Sequence, residues 1–252
     1  MLRSLYSGVS GMKGFQTKLD VIGNNIANVN TVGYKKSTIN FQDLLSQNLS
    51  GKSTNPMQVG LGSTTGAINV VHTAGSSMNT GVGTDVSIQG DGFFVVENGG
   101  QQFLTRAGNF GVDEGGNLVT SQGYNVLGQN GQPINVAGAD SFSINAAGEV
   151  ISLDASGAEI AGSRQTMAVV SPTNPSGLSK VGGSMYGMPA NTALGTATSN
   201  NTQLASGMLE MSNVDLTEEF TEMIIAQRGF QANSRTITTS DEILQEVVNL
   251  KR

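Results

Sequence analysis

Residues that commonly carry out chemistry in proteins are scarce in this chain of 252 residues. It contains no cysteine and a single histidine, His72. Disulfides, cysteine-bound zinc, iron–sulfur clusters and thiol catalysis are therefore excluded, and no pair of histidines is available to bind a metal or relay a proton. Because His72 follows a predicted strand, we interpret it as a strand-end or surface residue rather than a ligand.

Two short segments resemble ligand-binding loops without matching them. Gly60, Gly62 and Gly66 give the pattern G-x-G-x-x-x-G, which misses the dinucleotide-binding spacing by one residue. Residues 113–117 offer oxygen ligands but lack the alternating acids and the distal glutamate of a calcium loop. We therefore predict no catalytic residue, no cofactor and no metal site, and we expect a protein that is not an enzyme.

The charge of the chain is low and unevenly placed. The net charge of −6 argues against a nucleic-acid partner. Six basic and two acidic side chains give residues 1–52 a net charge of +4, whereas four basic and eight acidic side chains give residues 208–252 a net charge of −4. The two ends could form ion pairs, each contributing about 0 to 1 kcal/mol where exposed; ordinary solvated helix faces are the alternative.

The first predicted element is a helix with a heptad pattern at the start of the chain. Two columns of residues, three places apart, each recur every seven residues, which predicts a helix from about Arg3 to Val29. Asn28, Asn30 and Gly33 supply residues that favour its end. The predicted assembly seam on this helix comprises Leu5, Met12, Phe15, Leu19, Ile22, Ile26 and Val29.

A second heptad pattern covers residues 208–252 and predicts another long helix, with Ser212 or Asp215 as its N-cap. A second column, also with a spacing of seven residues, is polar in its middle at Gln227, Ser234 and Asp241. The apolar stripe of the helix is therefore narrow, and a single partner helix would not bury it well. A two-helix hairpin in one globule is the simpler alternative. The predicted seam comprises Leu209, Leu216, Phe220, Met223, Phe230, Ile237, Leu244 and Val248.

Between the two predicted helices the sequence changes to short apolar runs separated by Gly, Asn and Asp. Such spacing predicts strands and tight turns of an all-β sandwich or barrel, with hairpins at residues 98–100 and 114–117. The predicted fold class is α+β: long N- and C-terminal helices paired as a coiled coil, with an inserted β domain. The predicted division is residues 1–30 and 208–252 as a helical domain, 31–66 as an extended linker and 67–207 as a β-rich outer domain.

Several stretches resemble the bacterial flagellar rod and hook family. They are LDVIGNNIANVNTVGYK at 19–35, DGFFVV at 91–96, LTRAGNF at 104–110, SNVDL at 212–216 and AQRGF at 226–230. The family-motif residues carried by these stretches are Asn24, Asn25, Asn28, Gly33, Gly92, Phe93, Arg106 and Gly108.

The resemblance implies a structural subunit that assembles helically, with the paired terminal helices forming an inner tube and the β domain an outer layer. Implied partners are further copies of the chain, other rod proteins, the hook cap, the hook–filament junction proteins and the flagellar type III export apparatus. The absence of an apolar export core agrees with export, without a cleaved signal, to a flagellar location outside the cell. Phe41, Leu44 and Leu45 resemble an element that this export apparatus recognises.

Within the family, Gly23 and the ending at residues 237–252 favour a hook subunit, which passes motor torque to the filament as a flexible joint. The Gly-, Ser- and Asn-rich segments 46–63 and 173–206 would then act as compliant joints. A distal or proximal rod subunit is the alternative. A different class, an extracellular binding module with helical arms, is also open.

Overall fold

The computed structural model describes residues 2–48, 58–138, 141–154, 158–160, 163–188 and 202–250. Two long helices, α1 (Leu2–Ala27) and α2 (Leu216–Asn249), lie at the ends of the sequence. The strands between them are β1 Ser37–Asp43, β2 Ser46–Asn48, β3 Gln58–Gly60, β4 Ser63–Val70, β5 Ser77–Asn79, β6 Val86–Gln89, β7 Phe93–Asn98, β8 Gln101–Thr105, β9 Phe110–Val112, β10 Leu118–Thr120, β11 Asn125–Val126, β12 Ser141–Ile144, β13 Glu149–Leu153, β14 Gln165–Thr166, β15 Val169–Val170, β16 Lys180–Gly182, β17 Met185–Gly187, β18 Gln203–Ser206 and β19 Met208–Glu210.

The chain divides into two compact units. The first, here called the helical unit, comprises residues 1–27, 37–71 and 214–252. The second, here called the β unit, comprises residues 28–36 and 72–213. The sequence of the β unit is therefore inserted within that of the helical unit, as the predicted α+β class requires.

In the helical unit, α1 and α2 pack against each other in antiparallel directions. Gly8 of α1 lies beside Thr236 of α2, whereas Lys18 further along α1 pairs with Glu222 nearer the start of α2. The side chain of Asp215 caps α2 by accepting hydrogen bonds from two backbone N–H groups in the first turn. Pairing of the terminal helices is confirmed; the coiled-coil geometry stays a prediction.

The helical unit also contains two antiparallel strand pairs, so much of the segment predicted as an extended linker at 31–66 forms strands. Strand β1 pairs antiparallel with β4 over Ser37–Asp43, with a register shift after Asn40, and β2 pairs with β3. Residues 49–57, which belong to the first predicted compliant joint, lie outside the described residues.

In the β unit the largest sheet has eight strands in the order β16-β17-β8-β7-β11-β10-β9, with β15 also paired to β7. Smaller sheets are β12-β13-β14, β18-β6 and β19-β5. The turn at Gly99 and Gly100 joins β7 to β8 with positive φ at both residues, as the predicted hairpin requires. The second predicted hairpin, at 114–117, joins the paired strands β9 and β10.

The core of the β unit surrounds β7, whose first four residues are all buried. A run buried without alternation has both of its faces covered, which explains why this stretch of the sequence is continuously apolar. The core also includes Val86, Leu118, Val126, Ile134, Val150, Met167, Val169 and Leu204. The second predicted compliant joint, residues 173–206, contains β16, β17 and β18, while its residues 189–201 lie outside the described residues.

Candidate assembly interface

Glycines let α1 and α2 approach closely in the helical unit. A Cβ added to Gly229 would lie 2.5 Å from the ring of Phe15, and one added to Gly8 would lie 3.0 Å from the hydroxyl of Thr236. Distances below about 3 Å require a neighbour to move, so the helix spacing depends on the absence of these side chains. Gly11, which faces Asn233, continues this contact along α1.

Polar contacts fix the other end of the same helix pair. Asn25 is 1% exposed; its side chain donates to the carbonyl oxygen of Ser37 at 2.9 Å and accepts from the N–H of Ser37 at 3.0 Å. It also donates to Glu219 of α2 at 3.2 Å. Lys18 and Glu222 form an ion pair at 2.5 Å between the basic start and the acidic end of the chain. These contacts set the register of α1, β1 and α2.

Much apolar surface of α2 is not covered by α1. Phe220 is 50% exposed, Ile224 is 59% exposed and Val248 is 63% exposed. Phe220 and Ile224 are one turn apart on α2, and neighbouring exposed apolar side chains of this kind are typical of contact sites for another macromolecule. The narrow apolar stripe predicted from the sequence thus belongs to α2, whose apolar side chains are only partly covered by α1.

The predicted seam residues differ in how far they are buried. On α1, Ile22 is buried and the seam residues Leu5, Met12, Phe15, Leu19 and Ile26 are half-buried. On α2, Met223, Ile237 and Leu244 are half-buried, whereas Leu216, Phe220, Phe230 and Val248 are exposed.

Two of the predicted seam residues lie outside the helices. Val29 follows the end of α1 at Ala27. Leu209 is buried in β19, where it pairs with Met78 of β5, so its placement on a helix was wrong. Helix α2 begins only at Leu216 because the Asp215 side chain caps it there.

A buried ion cluster in the β unit joins the chain segments that enter and leave it. Glu210 is 2% exposed and accepts hydrogen bonds from Lys35 at 2.5 Å, Arg106 at 3.1 Å and the N–H of Gly75 at 3.0 Å. Its backbone carbonyl accepts from the N–H of Gly33 at 2.8 Å. Burial lowers the pKa of Lys35, although its hydrogen bond to Glu210 acts in the opposite direction. Arg106 also donates to the carbonyl oxygen of Gly90 at 2.9 Å, while its Nε is buried without a hydrogen-bond partner among the described residues.

The family-motif residues serve the packing of this region. Gly33 has φ +66°, and a Cβ there would lie 2.5 Å from the backbone nitrogen of Ala107. A Cβ on Gly108 would lie 1.7 Å from the carbonyl oxygen of Val86, and one on Gly92 would lie 2.8 Å from Val169. The remaining motif residues are Asn24, which is exposed, Asn28, whose side chain accepts from the hydroxyl of Thr31, and Phe93 and Arg106, which are buried.

His72 lies in an aromatic cluster rather than on the surface. Its ring centroid is 5.5 Å from that of Phe93 and 5.3 Å from that of Tyr186, and Arg106 lies over the Phe93 ring. Burial, and to a smaller extent the charges of Lys35 and Arg106, lower the pKa of His72 to about 4. Burial also raises the pKa of Tyr186. The ring of His72 is therefore neutral at pH 7.

The predicted export element lies on and after β1. Phe41 is 41% exposed, and its ring centroid is 6.0 Å from that of Phe15 on α1. Leu44 is 37% exposed and Leu45 is 85% exposed. All three side chains are at least partly accessible, and their role in export stays a prediction.

The sequence interpretation missed the residues that connect distant segments. Glu210 was counted only as a member of the acidic end, Glu219 only as an acid suited to the start of the second helix, and Gly229 only as part of a motif. A signal was available for Glu210, since a lone carboxylate between Leu209 and Met211 interrupts an apolar run. No comparable signal identified Lys35 and Arg106 as its partners, because the three residues meet only in the folded chain.

The described part of the chain thus combines two paired terminal helices, which carry exposed apolar side chains, with an inserted β unit that contains a buried ion cluster. The described residues contain no group of three metal-ligating side chains, and none of their helices is long and apolar enough to cross a membrane.

Three family models match the chain. They are described as "Flagella basal body rod protein" at residues 5–35, "Flagellar hook protein FlgE/F/G D1 domain" at 87–152 and "Flagellar basal body rod FlgEFG protein C-terminal" at 205–250. The first and last match the regions of the two helices, and the second matches much of the β unit.

Similar proteins cover the full length of the chain. The flagellar basal-body rod protein FlgG of Bacillus subtilis is 53% identical, with all of both chains covered. FlgG of Borreliella burgdorferi is 36% identical, again with all of both chains covered. The flagellar hook protein FlgE of Treponema pallidum is 52% identical, but over 53% of this chain and 31% of its own length. The chain belongs to the flagellar rod and hook family, whose members are structural proteins of the flagellum and not enzymes.

Proposed function

We propose that this chain is a rod subunit of the flagellar basal body, at the distal part of the rod, and not a hook subunit as Gly23 and the C-terminal ending had suggested. The observation that carries the proposal is its full-length similarity to proteins named basal-body rod protein FlgG, at 53% identity for the Bacillus subtilis relative. Similarity to the Treponema pallidum hook protein covers only 31% of that protein.

The geometry of the helical unit supports assembly as the mechanism. α2 is 34 residues long, which corresponds to about 50 Å at 1.5 Å per residue. Its exposed apolar residues need neighbours beyond α1 for burial, and further copies of the chain would supply them. Contacts between different faces of identical subunits generate a filament when the rotation from one copy to the next does not close a ring.

The hook remains a second candidate because one observation favours it. Within the matched half, identity to the Treponema pallidum hook protein is 52%, nearly the same as the identity to the Bacillus subtilis rod protein. The two subunits would share the same helical inner tube and differ in location along the axis. Other rod proteins, the hook cap and the junction proteins would be their partners, and the flagellar type III apparatus their exporter.

The part of the hook–basal body that is lost when the gene is deleted separates the two candidates. The unmodified gene is deleted, and the isolated structures are imaged by electron microscopy. A rod subunit predicts the loss of both the distal rod and the hook, since the hook grows on the rod. Basal bodies that keep a complete rod and lack only the hook would overturn the proposal. Re-expression of the unmodified gene is the control.

A further inference from the structure

The side of α1 that faces away from α2, here called its outer side, carries two exposed charges. Gly11 and Phe15 of α1 face α2. At 100° per residue, Lys13 lies opposite these two residues around the helix, and Asp20, seven positions later, lies within about 20° of Lys13. Both charged side chains are exposed, and neither forms an ion pair among the described residues. The outer side of α1 therefore presents a cation and then an anion, about 10 Å apart.

The outer side of α2, which faces away from α1, carries the same two signs at the same spacing. Asn233 and Ile237 of α2 face α1. Arg235 lies opposite them around the helix, and Glu242 follows seven positions later, within about 20° of Arg235. Both are exposed, and neither forms an ion pair in the described part of the chain. In an antiparallel pairing, two helices that each carry a cation and then an anion place unlike charges opposite each other.

We propose that the outer side of α1 in one copy of this chain binds the outer side of α2 in a second copy of the same orientation. Asp20 of the first copy then lies opposite Arg235 of the second. Lys13 of the first copy lies opposite Glu242 of the second. The two helices are antiparallel in this contact, as they are within one chain. The inference rests on the proposed function, because it assigns a lateral contact of an axial polymer.

The contact fixes the displacement of the second copy along the helix axis. Within one chain Gly8 is level with Thr236, which places Asp20 level with Ile224. In the contact Asp20 is level with Arg235, so the two copies are displaced by 11 residues, about 16 Å. Each copy uses α1 for one neighbour and α2 for the other, so a third copy binds on the far side of the second and the contact repeats. The displacement at every step keeps the series from closing into a ring.

The C-terminal end of α1 provides a third match. The proposed displacement brings Arg228 of the second copy level with Ala27, where α1 ends, and the last turn of α1 holds no basic residue. A cation at this end of a helix is stabilising, because the free carbonyl groups there carry partial negative charge. Arg228 and Arg235 line a shallow depression together with Gln231 and Ala232. This depression would cover the last two turns of α1.

Other displacements of the same two sides satisfy fewer charges. Without displacement, Asp20 is level with the apolar Ile224, and neither charge pair forms. A displacement of four residues brings Asp20 level with Arg228. It also sets Lys13 against Arg235, and like charges placed opposite each other cost free energy.

An apolar match is the strongest competing arrangement. Tyr6, on the outer side of α1, is 73% exposed, and Ile224 is 59% exposed. A displacement of 14 residues in the opposite direction would make them level, but the helices would then overlap over only about 13 residues. The proposed displacement gives an overlap of about 22 residues. The longer overlap and the charge pairing favour the proposed contact, which leaves Phe220 and Ile224 for other copies.

Cysteine cross-linking measures the displacement, because the natural chain has no cysteine. Cells producing Asp20→Cys/Arg235→Cys are oxidised, and basal bodies are isolated. The two positions lie on the outer sides of different helices and about 16 Å apart along them, so a disulfide can form only between copies. We expect a ladder of cross-linked chains on a denaturing gel. Lys13→Cys/Glu242→Cys, which keeps the other charge pair, should give the same ladder.

Two matched variants report the competing displacements. Asp20→Cys/Ile224→Cys reports an undisplaced neighbour, and Tyr6→Cys/Ile224→Cys reports the apolar match. Both should remain monomeric on the same gel. A ladder from either of them, or the absence of a ladder from both proposed pairs, would overturn the inference.

Exchange of the charges tests the pairing itself. Asp20→Arg and Arg235→Asp should each reduce the number of assembled axial structures about fivefold or more, since each sets like charges opposite one another. The combined variant Asp20→Arg/Arg235→Asp should restore assembly, and an undiminished loss in it would contradict the pairing. Secretion of each variant and the circular dichroism of its purified monomer, compared with the unmodified chain, separate a lost contact from misfolding.

Failure of the proposed function gives a different result. Deletion of the gene would then leave a complete rod without a hook, and the ladder would be read in isolated hooks. The displacement between copies is measured independently of that location.

Discussion

Replacement of Glu210 tests directly whether the buried ion cluster stabilises the fold. Its carboxylate is 2% exposed and is the shared partner of Lys35 and Arg106. Glu210→Gln preserves the volume and one acceptor oxygen but removes the negative charge, which leaves two cations buried. Removing one partner of a buried ion pair costs about 3 to 5 kcal/mol, a large part of the roughly 5 to 15 kcal/mol that stabilises a domain.

The expected loss is large enough to measure by thermal unfolding. For a unit of this size, about 2 to 4 °C of melting temperature corresponds to 1 kcal/mol, so Glu210→Gln should lower the melting temperature by about 6 to 20 °C. The unfolding of the dilute full-length protein is followed by far-ultraviolet circular dichroism. Glu159→Gln is the matched control: it breaks the exposed ion pair with Arg164 and should produce no measurable change.

The pH dependence separates this explanation from a simple packing defect. Burial lowers the pKa of Lys35 in the folded state. In Glu210→Gln the opposing effect of the carboxylate is lost, so the folded-state pKa falls further below the unfolded value of 10.5. A depressed pKa contributes stability at high pH that is lost as the pH falls, so the deficit of the variant should shrink as the pH rises toward 10. A deficit below about 1 kcal/mol, or one unchanged between pH 7 and pH 10, would refute the reasoning.

Three further predictions concern other contacts. The free energy of unfolding should fall by up to about 3 kcal/mol as the pH drops from 6.5 to 4, because His72 binds a proton at a higher pH in the unfolded chain than in the folded chain. In His72→Phe the urea concentration at the unfolding midpoint should depend less on pH over this range. Gly229→Ala, which presses on Phe15, should lower the melting temperature, whereas Gly23→Ala, with no atom within 4 Å, should raise it; equal shifts would contradict the close packing. Phe230→Asp should abolish assembly in electron micrographs while the circular dichroism of the strands is preserved; normal filaments would remove the residue from the interface.

The sequence identifies the helices and much of the sheet because both depend on local patterns. The heptads around Met12 predict α1 to within a few residues, and the glycines at 99 and 100 predict a hairpin whose turn needs positive φ. The same reasoning fails at Leu209, because a strand residue happened to match the seven-residue period of α2. The cap at Asp215 marks the true start of the helix, since its side chain satisfies the first free N–H groups.

The candidate site is harder to predict because its contacts join residues far apart in sequence. Lys35 and Glu210 are separated by 175 positions, and Asn25 and Glu219 by 194. Charge counts show only that one end is basic and the other acidic. Two of the resulting ion pairs, Lys18 with Glu222 and Lys35 with Glu210, do connect those ends, but one is partly exposed and one is buried, so they contribute differently to stability.

The side of α2 that faces α1 differs in composition from the side that α1 leaves exposed. The side of α2 that faces α1 includes Gly229 and Asn233, whose small size allows the close approach, together with Ile237, which lies beside Gly8. The larger apolar residues, such as Phe220 and Ile224, remain half exposed. A helix that placed them against α1 would be satisfied as a hairpin and would have little free energy left to gain from neighbours. The interrupted heptad thus favours a subunit whose helix pair forms in the monomer but becomes fully buried only in the polymer.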